Sequence, residues 1–151
     1  MSDLDLLQQL KIERDLTRLV LDAAHFADSR EFRQLAELFV TEGVLYRPTA
    51  PDKPLQGREA IFESYNARPE HRLTRHLCSN FRIDIESAER ARVRCYAQVF
   101  GADKREDAGD HLGPPAEARI MVGEFDDLCV FEAGRWLIAE RRASFTLHQT
   151  L

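Results

Sequence analysis

From Leu4 to Phe26 the apolar residues return at helical spacing: Leu6, Leu10, Ile12, Leu16, Leu19, Val20, Ala23 and Phe26. This stripe predicts one long amphipathic helix. Ser2, with Asp5 three residues on, is the candidate capping box at its start. A second helix is expected after Asp28-Ser29, with Phe32, Leu35, Ala36 and Phe39 on its inner face and Gly43 at its end. Val44-Leu45-Tyr46-Arg47 then reads as a short strand, and Pro48, Pro51 and Pro54 as holding an extended loop. Gly57 opens a third helix, Arg58 to Ala67, packed through Ala60, Ile61 and Tyr65.

The period then changes from helical to two. Three long strands are expected at about 73–86, 91–100 and 117–132, and a fourth from Arg135 to about Thr146. Ala133-Gly134 is the hairpin turn between the last two. The strand at 91–100 alternates Arg92, Arg94, Tyr96, Gln98 and Phe100 with Ala91, Val93, Cys95, Ala97 and Val99. The first set, facing outward, would offer aromatic anchors to another sheet, so a symmetric dimer or trimer is expected. Gly101 to Pro115 is polar and rich in Gly, Pro and Asp, and residues 101–116 are expected to be the least ordered internal segment. Helices first and an antiparallel sheet afterwards predict an α+β fold in a single domain, residues 1–151.

One conflict stands out in the alternation. Phe81, Ile83 and Ile85 share a face, whereas His76 has the parity of Arg82 and Asp84. A β-bulge near Cys78-Ser79-Asn80 would bring His76 round to the core face, and bulges gather next to active sites.

Composition narrows the classes. A chain of 151 residues buries roughly 70% of its unfolded surface, enough for a core and a pocket. The net charge is −5, with scattered Lys and Arg, which argues against nucleic acid or an anionic membrane as partner. No stretch is apolar enough to span a bilayer, and Met1-Ser2-Asp3 is acidic rather than signal-like. Cys78, Cys95 and Cys129 form an odd set without metal-ligand spacing. Together these features predict a cytoplasmic protein with reduced thiols that fill a sheet.

Two polar residues carry the candidate chemistry. Asp28 sits at the seam between two helical patterns and His76 near the start of a strand. A carboxylate that meets an imidazole fixes its tautomer and raises its basicity, making a general base that works near neutral pH. Asp28 has a structural alternative as the N-cap of the second helix, and His76 one as a satisfied strand histidine. Arg142 is either an anion-binding residue or a solvated strand residue. His25 and Asp28, three apart, find no clear third ligand, and His71, His111 and His148 lie in loop or terminal segments, so no metal is expected. No phosphate-binding glycine loop or serine nucleophile elbow is present.

His25-Phe26-Ala27-Asp28-Ser29 and Thr74-Arg75-His76-Leu77-Cys78-Ser79-Asn80 resemble the SnoaL-like branch of the NTF2-like superfamily, which includes polyketide cyclases, scytalone dehydratase and a dehydrochlorinase. Gly57-Arg58-Glu59-Ala60-Ile61, Val122 to Asp127 and Gly134 to Arg142 extend the resemblance over nearly the whole chain. It implies a cone in which three helices lie over a curved, mainly antiparallel sheet and enclose one pocket. It also implies a cofactor-independent dehydratase, isomerase or cyclase acting on a small cyclic or aromatic-like substrate. Asp28 and His76 would be its dyad. Tyr46, one residue short of a pocket tyrosine in the scytalone dehydratase group, would polarise a substrate oxygen; the alternative is a half-buried strand tyrosine. Phe26, Phe39, Leu77, Val99 and Phe125 would form apolar walls. Ala27 replaces a second tyrosine of that enzyme and no histidine stands near Phe100, so scytalone itself is not the expected substrate. The same stretches, with the closing Leu147-His148-Gln149-Thr150-Leu151, are also similar to β subunits of ring-hydroxylating dioxygenases. That implies a supporting role beside an iron-bearing α subunit. A ligand-binding protein without catalysis is the third possibility.

Overall fold

The apolar stripe of the first segment folds as α1 (Leu6–Asp28) in a computed structural model that describes residues 3–105, 109 and 111–151. Its N-cap is Asp5, whose side chain accepts from the Gln8 backbone N–H while the Gln8 side chain accepts from Asp5 N–H. This capping box lies three residues later than the sequence suggests; Ser2 lies outside the described residues. Leu16, Leu19, Val20 and Ala23 form the buried stripe of α1.

α2 (Phe32–Glu37) is a single short helix. It ends well before Gly43, because Phe39 already begins β1 (Phe39–Arg47). The proline-bearing segment is not a loop but β2 (Ala50–Gln56), an edge strand antiparallel to β1. Proline is tolerated on such an edge because an outward-facing ladder position needs no N–H. After α3 (Arg58–Asn66) come β3 (Arg72–Ser87), β4 (Arg90–Asp103), β5 (Arg119–Glu132) and β6 (Arg135–Thr150). Ala133 and Gly134 both have positive φ, the condition for the tight hairpin turn expected there.

The six strands form one curved, open sheet in the order β2-β1-β6-β5-β4-β3, antiparallel except where β1 runs parallel to β6. The helices, α1 and α2 before the first strand and α3 between β2 and β3, cover its concave side, where α1 packs on β3. The core between them joins Leu16 and Val20 of α1 to Phe39, Ile61, Val93 and Ile138. Cys95 and Cys129 are buried in it, Cys78 packs against it, and all three are free thiols. On β4 the alternation runs as read from sequence, with Ala91, Val93, Cys95 and Ala97 buried and Tyr96 on the outer face. Of the segment read as a loop, residues 101–103 continue β4, and residues 106–108 and 110 lie outside the described residues. No described helix is long and apolar enough to cross a membrane.

β6 carries two irregularities against β5. Cys129 pairs with Ile138 but Leu128 with Glu140, and Gly123 pairs with Phe145 but Val122 with Leu147. Each is one extra residue on β6, the geometry of a bulge that bends the strand. At the second, β5 and β6 approach so closely that a Cβ on Gly123 would collide with the Ser144 carbonyl oxygen. Gly123→Ala therefore forces backbone to move and should destabilise the fold by about 1–3 kcal/mol. Urea denaturation monitored by circular dichroism measures this, and an unchanged midpoint would contradict the close approach.

Candidate active site

His76 faces the concave side because β3 carries one extra residue. Ser79 pairs with Tyr96 and Arg82 with Arg94, and Asn80 between them has φ 57°. This is the bulge that the parity conflict demanded. Below it Thr74, His76 and Cys78 are the more buried residues; above it Phe81, Ile83 and Ile85 are.

Asp28 meets this strand from the last turn of α1. Its Oδ1 lies 2.6 Å from His76 Nδ1 and accepts from the Thr74 hydroxyl at 2.9 Å. Its Oδ2 accepts from the His76 backbone N–H at 2.8 Å. The alternative role as a cap of the second helix is not taken: the residue before α2 is Glu31, with no side-chain cap. An acidic group at a helix C-terminus opposes the helix dipole, so these bonds from β3 are what hold it there. Burial raises the Asp28 pKa, but the hydrogen bonds from the His76 ring and backbone, the charge of His76 and the Thr74 hydroxyl outweigh it and hold the carboxyl below its ordinary value. An ionised carboxylate only accepts, so Nδ1 is the nitrogen that donates to Asp28, and in the neutral ring the lone pair lies on Nε2. The side chains of His76 and Asp28 are 15% and 12% exposed, shielded from bulk solvent yet open on one side.

That side is a cavity of about 200 Å³ whose wall includes His76, Leu45, Tyr65, Val99, Phe125 and Arg141. The His76 and Phe125 rings are 6.5 Å apart. Arg141 grips Asp127 through two bonds of 2.8 and 2.7 Å, with both side chains almost fully buried, and its guanidinium lies 4.1 Å from the Phe125 ring centroid. Burial alone would lower the Arg141 pKa; the charge and hydrogen bonds of Asp127 win and raise it.

Of the residues singled out from sequence, Val99 and Phe125 line this cavity beside His76. Leu77 does not: the bulge that turns His76 inward turns Leu77 outward, where it is 54% exposed. Phe39 is sealed in the main core and Phe26 packs beside Ala23, Ala27, Phe32 and Leu35. Tyr46 is out of phase with the inward Leu45 and lies on the outer side, its ring 3.9 Å from the Arg142 guanidinium. Arg142 is likewise outside, because the extra residue at Ala139 hands the inward position to Arg141.

Sequence reasoning missed Thr74, Arg141, Arg47 and Arg68, all four of them cavity residues. Thr74 was recoverable, since it shares the parity of His76. Arg141 was hidden by the β6 bulge. Among the described residues no group of three His, Cys, Asp or Glu is placed to hold a metal ion.

Two outcomes follow from this geometry. The lowered Asp28 pKa contributes stability that is complete above the unfolded carboxyl value, 3.8, and is lost as pH falls through the lower folded value. Thermal melts from about pH 5 down to about pH 2 should therefore fall more steeply for the wild type than for Asp28→Asn; parallel curves would contradict the assignment. Asp127→Ala strands the Arg141 charge and should cost about 3–5 kcal/mol, whereas Asp127→Leu with Arg141→Met should recover most of the loss. Denaturant titration of the single and double variants measures both.

Solved structures share this architecture. A proposed scytalone dehydratase from Novosphingobium aromaticivorans superposes with a TM-score of 0.77 at 23% identity, over 95% of this chain and 90% of its own. A type 2 hexachlorocyclohexane dehydrochlorinase (LinA) gives 0.78 at 15% identity, over 97% and 93%. A proposed aromatic ring hydroxylase, also from Novosphingobium aromaticivorans, gives 0.72 at 16% identity, over 94% of each chain. At these identities the likeness is one of fold. No curated protein sequence matches the chain. The SnoaL-like domain model matches residues 8–142, nearly the whole length, and the chain belongs to that family.

Proposed function

We propose that the protein is a cofactor-independent pocket enzyme that removes a proton next to a carbonyl or a leaving group of a small cyclic substrate. His76 Nε2 takes the proton. The C–H electron pair moves into an enolate, or expels the leaving group as a double bond forms. The imidazolium then returns its proton to carbon in isomerisation, or to a departing hydroxide that leaves as water in dehydration. Asp28 orients the ring and stabilises the imidazolium. Arg141, held rigid by Asp127, replaces Tyr46 as the group that faces the developing negative charge.

The observation that carries this reading is the full engagement of Asp28 by Thr74 and His76, which leaves one imidazole nitrogen for the cavity. The family supplies the kind of chemistry: a dehydratase-type and a dehydrochlorinase neighbour share the fold. A second reading, a supporting β subunit of a ring hydroxylase, draws on the likeness to the proposed ring hydroxylase and on the outer face of β4, where Tyr96 is 50% exposed. In the first reading that face packs against another copy in a dimer or trimer; in the second it meets an α subunit.

Proton exchange tests the first reading directly. Deuterium wash-in into a panel of cyclic ketones, followed by NMR, should be catalysed by the wild type and reduced roughly 10²–10⁴-fold by His76→Ala. Asp28→Asn should be severe as well, because it removes the charge opposite the imidazolium and releases the tautomer. Both variants should stay folded. Exchange at wild-type rate in both, or none in the wild type across the panel, favours the supporting-subunit reading.

A further inference from the structure

Two cavity cations have no acidic partner. Arg47, at the end of β1, has its Nε buried without a hydrogen-bond partner, and its Nη1 makes one long bond, 3.3 Å, to the Ser64 hydroxyl. Arg68, just after α3, rests its guanidinium on the Tyr65 ring at 4.3 Å. Both line the cavity that holds His76. Among the described residues neither lies in an ion pair. Arg141 is different, because Asp127 already neutralises it. The acidic residue along the cavity wall, Glu124, is exposed and out of phase with the inward Gly123 and Phe125.

The Arg47 Nε–H, buried without an acceptor, carries a cost; Arg68 is exposed and adds a second cation at the cavity's open side. A ligand that brings an anion removes that cost on binding. A guanidinium fork matches a carboxylate in shape as well as charge. The cavity wall also has an apolar part, Leu45, Pro48, Val99 and Phe145 among it, with the hydroxyls of Thr49, Thr74 and Ser144 as neutral polar groups. Size narrows the choice further. The cavity is about 200 Å³, and an engineered cavity of about 150 Å³ takes up benzene, so there is room for one substituted ring.

From this we infer that the substrate is a monocyclic carboxylic acid, its carboxylate on Arg47 and Arg68 and its ring between them and His76. The inference rests on the proposed proton-transfer site and names its substrate class. The anionic end is then held apart from Asp28, whose negative charge would otherwise repel it.

Isothermal titration with benzoate and its neutral isostere benzamide separates charge from shape. Benzoate should bind the wild type roughly 10–100-fold more tightly than benzamide, the range expected of a charge-assisted pair. Arg47→Gln should abolish that preference while leaving benzamide affinity unchanged, and Arg47→Lys should restore part of it. If Arg47→Gln fails to fold, Arg68→Gln carries the test, with a several-fold loss for benzoate alone. Equal affinity for the two probes, equal loss of both in the variants, or no binding of benzoate up to about 10 mM overturns the proposal. Binding is read without turnover. An Arg47-dependent preference therefore stands even if His76→Ala leaves proton exchange unchanged, and its absence leaves the dyad reading to be judged by exchange alone.

Discussion

Everything at this site depends on the phase of two strands, β3 and β6. Side chains alternate across a sheet, so one inserted residue exchanges the two faces of all that follows. In β3 the residue inserted between Ser79 and Arg82 puts Ile83 and His76 on the same side despite their opposite parity. In β6 the residue inserted at Ala139 does the same for Ile138 and Arg141. An unbroken β5–β6 ladder would continue from Cys129–Ile138 to set Asp127 opposite Glu140, two carboxylates. The bulge sets Asp127 opposite Arg141 instead. A like-charge pair at the core becomes a bidentate ion pair, and the cavity acquires a fixed guanidinium.

The bulge in β3 works together with the end of α1. The chain leaves the helix by a sharp turn through Arg30, whose φ is 61°, and Asp28 is left pointing at β3. Thr74 Oγ, His76 N and His76 Nδ1 are the donors that satisfy it. Two of those three come from one residue, so the carboxylate fixes the strand backbone and the imidazole ring at once. A dyad built across a helix end and a strand is more rigid than one borne on a loop, and rigidity is what a positioned base requires.

Fold and dyad were legible for the same reason: both lie in segments with a strong period or a strong local motif. The α1 stripe, the alternation of β4 and the Ala133-Gly134 turn each specify their element locally. The β3 conflict even announced its bulge, because Phe81, Ile83 and Ile85 fix the phase on one side and the chemistry of His76 fixes it on the other. Where one side lacks such a marker, the reading slipped by one residue. Glu140-Arg141-Arg142 has no apolar alternation to show which arginine turns inward, so the sequence singles out Arg142 and is silent on Arg141. Tyr46 carries the expected chemistry, but Leu45 holds the inward phase. Leu77 is apolar enough for a wall, but the bulge needed for His76 turns it outward. The early end of α2 and the edge strand β2 escape for a different reason: strand pairing from Phe39 onward overrides the helical spacing of Phe39 and the prolines of 50–56.

Stability does not explain the polar content of the concave side. A buried ion pair can be exchanged for apolar residues at little cost or with a gain, and an aspartate at a helix C-terminus works against the dipole. Yet Arg141, held by Asp127, and His76, held by Asp28, line one cavity together with Arg47 and Arg68. The two pairs differ in one respect that matters. Asp127 and Arg141 are nearly sealed and joined by two hydrogen bonds, so the guanidinium is held in one place beside the cavity. Asp28 and His76 keep an opening to the cavity, so a proton can be exchanged there. Arg47 and Arg68 have a third character: among the described residues neither lies in an ion pair, and they meet only Ser64 and the Tyr65 ring through their side chains. On the proposed reading the three serve different ends: a placed guanidinium donor, a base, and a seat for an anionic group. A pocket that only bound an apolar ligand would need none of them.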